Sequence, residues 1–146
     1  MEMPVVDGCR SGWRWRREAR RLHRRHAVPT DSKPTLLVVD DDPKYRRVLS
    51  FILDRIASVE FCADGESALE RLTTRSFDWM LLDVGLPGMN GFEVLARVRE
   101  RSATTRVLLH TGLALPDARW RAQGAGAVDL LEKPLSIPRL KALLRA

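Results

Sequence analysis

The stretch TLLVVDDDPKYRRVLSFILDRI (35–56) decides the fold. After Thr35, the four residues Leu36 to Val39 run apolar without alternation, as in a strand buried on both faces. Three aspartates and a proline follow at once. Asp42 suits a helix N-cap and Pro43 the first helical position, after which Val48, Leu49, Ile52 and Ile56 recur at helical spacing. A buried strand that runs straight into a capped helix is the opening of a βαβ unit. The aspartates pose a question of their own. Two carboxylates about 4 Å apart repel by roughly 4 kcal/mol at an effective dielectric near 20, and a purely structural turn has no reason to bear that cost.

Outward from this unit the same pattern repeats. SVEFC (58–62), DWMLL (78–82), RVLLH (106–110) and AVDLL (127–131) read as further strands. Between and after them come helical segments: DGESALERLTTR with Asp64 as cap and Ala68, Leu69 and Leu72 facing inward, GFEVLARVRER, a weaker PDARWRAQ ending at Gly124, and SIPRLKALLRA capped by Ser136. Five strands and five helices in strict alternation give an α/β chain with a parallel sheet. Right-handed crossovers make it doubly wound, with a ligand crevice beyond the carboxyl ends of the strands.

Those ends carry the chemistry. Asp40, Asp41 and Asp42 follow the first strand, Asp83 the third, Thr111 the fourth, and Lys133 with Pro134 the fifth. Gathered carboxylates are hard oxygen donors that suit Mg²⁺, a cation commonly shared with phosphoryl groups, and would account for the triple aspartate. In such a setting a carboxylate can act as nucleophile toward a phosphoryl donor. A hydroxyl and an ammonium can then hold the transferred oxygens and neutralise their charge.

In order and spacing, VVDDDP, DWMLLDVGLPGMNGFEVL, VLLHTG and GAVDLLEKPL resemble the receiver domain of bacterial two-component response regulators, over about residues 35–146. The resemblance implies a flavodoxin-like five-stranded parallel sheet, (βα)5, of strand order 2-1-3-4-5. It makes Asp83 the phosphoacceptor, Asp40 and Asp41 the acidic pair for Mg²⁺, and Gly85 a backbone-carbonyl ligand of the same ion. Thr111 becomes the switch hydroxyl, and Lys133 the phosphate partner, with a cis peptide to Pro134. Asp42 is left to helix capping. His110 is placed in the strand and is not the phosphorylated histidine, which belongs to the partner. Two departures stand out: Leu130 occupies the place of the usual inward-swinging aromatic, and Gly112 with Leu113 follows Thr111. The protein is expected to catalyse only its own phosphorylation and dephosphorylation. Its expected partners are a histidine kinase or histidine phosphotransfer protein and a downstream protein, with homodimerisation on phosphorylation a further option. With the chain ending at Ala146, it is expected to act as a stand-alone, chemotaxis-regulator-like receiver.

Composition divides the chain. Its net charge is +6, but residues 1–33 hold nine Lys/Arg against four Asp/Glu, so the remainder is nearly neutral. Residues 1–34 are accordingly expected to form a basic Arg/Trp-rich arm, solvated and disordered, with 35–146 as the folded domain. Read as a helix, the arm aligns Trp15, Ala19, Leu22 and His26, which leaves contact with a protein, nucleic acid or a membrane surface as alternatives. Apolar runs are too short to span a bilayer, and a cytoplasmic location is expected. Cys9 and Cys62 have no metal-site spacing and read as incidental thiols. Trp79 and Trp120 are both expected to pack in the core. Two rival readings differ in chemistry: a haloacid-dehalogenase-like phosphatase with Asp40 as nucleophile and Asp42 as acid, and a receiver-like binding module that needs no phosphate.

Overall fold

The pleat of the first strand explains why it is apolar from Leu36 to Val39. In the computed structural model, β1 (Thr35–Val39) sends Leu37 and Val39 to one face of the sheet and Leu36 and Val38 to the other, and all four are buried. The structure describes residues 32–102, 104–113 and 116–145. Residues 1–31 of the basic arm, with Cys9 and the arm's helical stripe, lie outside the described residues. Within the unit from Lys33 onward the elements alternate strictly. After β1 come α1 (Pro43–Leu53), β2 (Ser58–Cys62), α2 (Gly65–Thr74), β3 (Trp79–Asp83), α3 (Gly91–Arg101), β4 (Arg106–Thr111), α4 (Ala118–Gly124), β5 (Asp129–Glu132) and α5 (Ile137–Arg145). All strand pairs are parallel and the order is β2-β1-β3-β4-β5, as expected from the sequence.

Helices cover both faces. Ala68 and Leu69 of α2, Val94, Leu95 and Val98 of α3, and Ala118 and Ala122 of α4 pack with Leu37, Val39, Met80, Leu82, Val107 and Leu109. On the other face Leu49 and Leu53 of α1 and Leu140 and Leu144 of α5 pack with Leu36, Val38, Trp79, Leu81, Leu108 and Leu131. Each fully buried leucine stabilises by about 1.5–3 kcal/mol. Sheet and helices are therefore held by apolar burial, and the polar strand ends are free to serve another purpose.

The expected caps at Asp42, Asp64 and Ser136 are present, and Asn90 caps α3, where no cap was expected. Asp42 accepts from Lys44 N–H, Asp64 from Ser67 N–H and Asn90 from Glu93 N–H. Ser136 accepts the α5 bonds, its carbonyl from Leu140 N–H at 3.0 Å. Only glycine fits at position 91, because a Cβ there would stand 2.5 Å from the Asp83 carbonyl oxygen and 2.7 Å from Val84 Cα. That close approach seats the start of α3 directly against the end of β3.

Several expectations need correction. Val48 and Ile52 do not face inward; with Phe51 they form an outward apolar strip on α1, 51%, 40% and 73% exposed respectively. Trp120 is 78% exposed, because α4 packs through its small residues Ala118 and Ala122 and leaves the indole outside. β3 begins at Trp79, not Asp78, whose carboxylate accepts from the backbone N–H and hydroxyl of Thr35. β5 begins at Asp129, two residues later than expected, since Ala127 N–H turns back to the Ala122 carbonyl. β4 extends to include Thr111.

Candidate functional site

Four strands deliver their C-terminal residues to one end of the sheet. Asp40 follows β1, Asp83 closes β3, Thr111 closes β4 and Lys133 follows β5. Asp40 and Asp83 are buried and Asp41 is exposed, and one carboxylate oxygen of each lies within 4.8 Å of the others. Such mutual repulsion calls for a cation. Lys133 supplies part of it: its Nζ lies 2.8 Å from Asp40 Oδ2 and 3.4 Å from Asp83 Oδ2.

The two buried carboxylates, Asp40 and Asp83, are also held by backbone. Asp40 Oδ1 accepts from Asp42 N–H at 2.9 Å, its carbonyl accepts from Arg46 at 2.6 Å, and Asp83 Oδ1 accepts from Gly85 N–H at 3.0 Å. Thr111 Oγ1 accepts from Leu113 N–H at 3.0 Å, which leaves its hydroxyl hydrogen to donate. The Lys133–Pro134 peptide is cis. Asp42 is exposed and its carboxylate is engaged in capping α1, so it offers no acid aimed at Asp40.

Electrostatics follow from this packing. Burial pushes the Asp83 carboxyl above the usual carboxylate range, against the opposing pull of Gly85 N–H and Lys133. Burial also disfavours the Lys133 charge, yet the Asp40 hydrogen bond and the two neighbouring carboxylates outweigh it, and the ammonium is held above its ordinary value. Beneath it lies a pair that sequence reading did not assemble. Tyr45, in the first turn of α1, has its hydroxyl 2.9 Å from His110 Nε2, and its ring centroid lies 4.5 Å from Lys133 Nζ. Burial and the charges of Asp40 and Asp83 raise the Tyr45 phenol to about 12, while burial and Lys133 lower the His110 imidazole to about 4. The available signal was helical spacing: Tyr45, Leu49, Leu53 and Ile56 are the residues of α1 and its end that pack inward.

The remaining sequence candidates are placed as follows. Leu130 is buried, and it lines an open cavity of about 470 Å³ with Trp120, Arg119 and Glu132 that shares no residue with the carboxylate cluster. Leu113 is exposed, and Cys62 is a half-buried free thiol. Among the described residues no helix is long and apolar enough to cross a membrane.

A family model of the response regulator receiver domain matches residues 36–145. The chain belongs to this family. As a receiver it is a module of two-component signalling. It is 38% identical over 112 residues to the transcriptional regulatory protein TcrA of Mycobacterium tuberculosis, an alignment covering 76% of this chain and 44% of TcrA. The receiver spans about half the length of the curated relatives it matches. Among solved structures it is similar to the chemotaxis protein CheY4 of Vibrio cholerae, with a TM-score of 0.70 and 33% identity, covering 78% of this chain and 98% of that one. It is also similar to a BeF3-activated receiver domain of DrrB, with a TM-score of 0.69 and 29% identity, covering 77% and 95% of the two chains.

Proposed function

We propose that this receiver, residues 35–146, acts in the cytoplasm and takes a phosphoryl group onto Asp83 from the phosphohistidine of a histidine kinase or histidine phosphotransfer protein. The observation that carries the reading is Lys133 Nζ held between Asp40 and Asp83 at the meeting point of four strand ends. An Asp83 oxygen forms a bond to phosphorus as the donor's P–N bond breaks, and the electron pair stays on the imidazole nitrogen. Lys133 remains within reach to neutralise the added charge, and Thr111, whose acceptor lone pair is engaged by Leu113 N–H, donates its hydroxyl hydrogen to a phosphoryl oxygen.

The donor set fits Mg²⁺: hard oxygens only, two carboxylates buried and one exposed, all close together. Asp40, Asp41 and Asp83 would hold the ion with the Gly85 carbonyl. When bound, Mg²⁺ neutralises carboxylate and phosphoryl charge as the group transfers. Output then follows through a downstream protein that reads a shifted conformational equilibrium, or through onward transfer. Chemistry by the chain itself is confined to its own phosphorylation and dephosphorylation. Residues 1–34 are assigned as a separate basic arm on charge alone.

α1 offers a surface for the donor. It starts at the mouth of the site, and its outward strip of Val48, Phe51 and Ile52 is an exposed apolar patch that a partner would cover.

Incubation with Mg²⁺ and acetyl phosphate is expected to give an acid-stable, base-labile phosphate on Asp83, and Asp83→Asn is expected to abolish it. Label remaining on Asp40 in that variant would overturn the assignment in favour of phosphatase-like chemistry.

A further inference from the structure

Lys133 is caged on three sides. Asp40 and Asp83 hold its ammonium through oxygens at 2.8 and 3.4 Å, and the face of Tyr45 closes the third side with the ring centroid 4.5 Å from Nζ. A lysine side chain has four rotatable bonds, so two carboxylates alone leave it free to follow either one. An aromatic face adds a further attraction and a wall.

The wall is itself fixed at both ends. Tyr45 is the third residue of α1, so its backbone is set by the helix that Asp42 caps. Its hydroxyl meets Nε2 of His110, which is buried in β4 and whose ring lies 5.3 Å from the phenol ring, centroid to centroid. His110 is in turn the register partner of Asp83, and its carbonyl accepts from Val84 N–H at 2.9 Å. The strand that flanks Asp83 therefore also anchors the ring against which Lys133 rests.

We propose that Tyr45, locked by His110, is a positioning residue that sets where the Lys133 ammonium sits relative to Asp83 and thereby sets the rate of phosphoryl uptake. The inference deepens the proposed function and rests on it for the kinetic consequence, while the geometric part stands independently. Tyr45 touches neither donor nor phosphoryl group in this role; it acts through Lys133.

Two measurements test it. In the metal-free protein, the Hε protons of Lys133 are expected to show an upfield ring-current shift by NMR that Tyr45→Phe retains in part and Tyr45→Leu removes. With acetyl phosphate and Mg²⁺, Tyr45→Leu is expected to slow labelling of Asp83 by about threefold to tenfold, and Tyr45→Phe by about twofold, in line with the strength of a partly desolvated cation–π contact. Both kinetic effects are expected to vanish in a Lys133→Met background, where a merely structural role for Tyr45 would persist. Equal slowing by Tyr45→Leu with and without Lys133 overturns the proposal, as does an unchanged Lys133 resonance in Tyr45→Leu. A wild-type protein that takes no label but shows the shifted resonance would sink the phosphoacceptor reading and leave the lysine geometry standing.

Discussion

His110 is a titratable ring kept neutral inside a sheet. Its value in the fold is about 4, against 6.5 for the free side chain, because burial and the Lys133 ammonium both disfavour the imidazolium. A depressed folded value means that the unfolded chain takes up the proton first. The associated stability is complete above about pH 6.5 and is lost as the pH falls toward 4, by up to about 3 kcal/mol. Urea unfolding midpoints are expected to drop between pH 7 and pH 4.5 more steeply in the wild type than in His110→Leu; parallel slopes would refute this. The comparison of slopes is needed because Asp83, with its raised value, acts in the opposite sense over the acid range. His110 also shows what single residues conceal in sequence. Nothing in RVLLH distinguishes a histidine on a satisfied strand from one that braces a tyrosine 65 positions away. Asp40, Asp83, Thr111 and Lys133, by contrast, were legible because each ends a strand, and the topology brings strand ends together.

The elements were legible to the extent that periodicity is decisive. β1 and β3 are built on the apolar runs 36–39 and 79–82, and three of the helices carry side-chain caps at Asp42, Asp64 and Asn90. Helix α1 defeats the method because VLSFIL offers two apolar i, i+4 pairs, 48 with 52 and 49 with 53, and spacing alone cannot choose between them. The sheet buried Leu49 and Leu53, leaving the other pair with Phe51 on the surface. In α4 the rule that large apolar residues face inward fails, since the helix lies close against the sheet through alanines. The misassigned strip has a use at this scale. Phe51→Glu is expected to lower phosphotransfer from a cognate protein donor by at least about tenfold, a loss of roughly 1.4 kcal/mol of docking energy, while labelling by acetyl phosphate stays unchanged. An equal loss with the small donor would locate the defect in the fold and not in docking.

At the scale of the whole molecule, the ends of β1 and β3 are forced together by sheet order while their carboxylates repel. A divalent cation that binds only the folded arrangement therefore stabilises the entire domain. Mg²⁺ at ten times its dissociation constant is expected to add about 1.4 kcal/mol, which raises Tm by roughly 5–8 °C for a domain of this size. Asp41→Asn is expected to remove most of that increment in a thermal melt, and an undiminished shift would place the ion elsewhere. Alternation, short loops and crossover handedness made a doubly wound parallel sheet legible, while the order β2-β1-β3-β4-β5 came from the resemblance of the strand-end motifs to receiver domains. Strand boundaries were less legible, because Asp78 and Ala127 spend their polar groups on partners that only the assembled sheet supplies.

The contact between Lys133 and Asp40 joins residues 93 positions apart, and that between Lys133 and Asp83 joins residues 50 apart. Contacts of such separation require the whole intervening chain to be present and closed into a loop, at an entropic cost that grows with its length. During synthesis the acidic residues emerge first and the lysine last, so a nascent chain with four strands carries the carboxylates without their counter-charge. On the proposed chemistry such a chain cannot take up a phosphoryl group efficiently. On that chemistry, competence for phosphoryl uptake arrives with the docking of the last strand, because β5 is what carries Lys133 to the carboxylates.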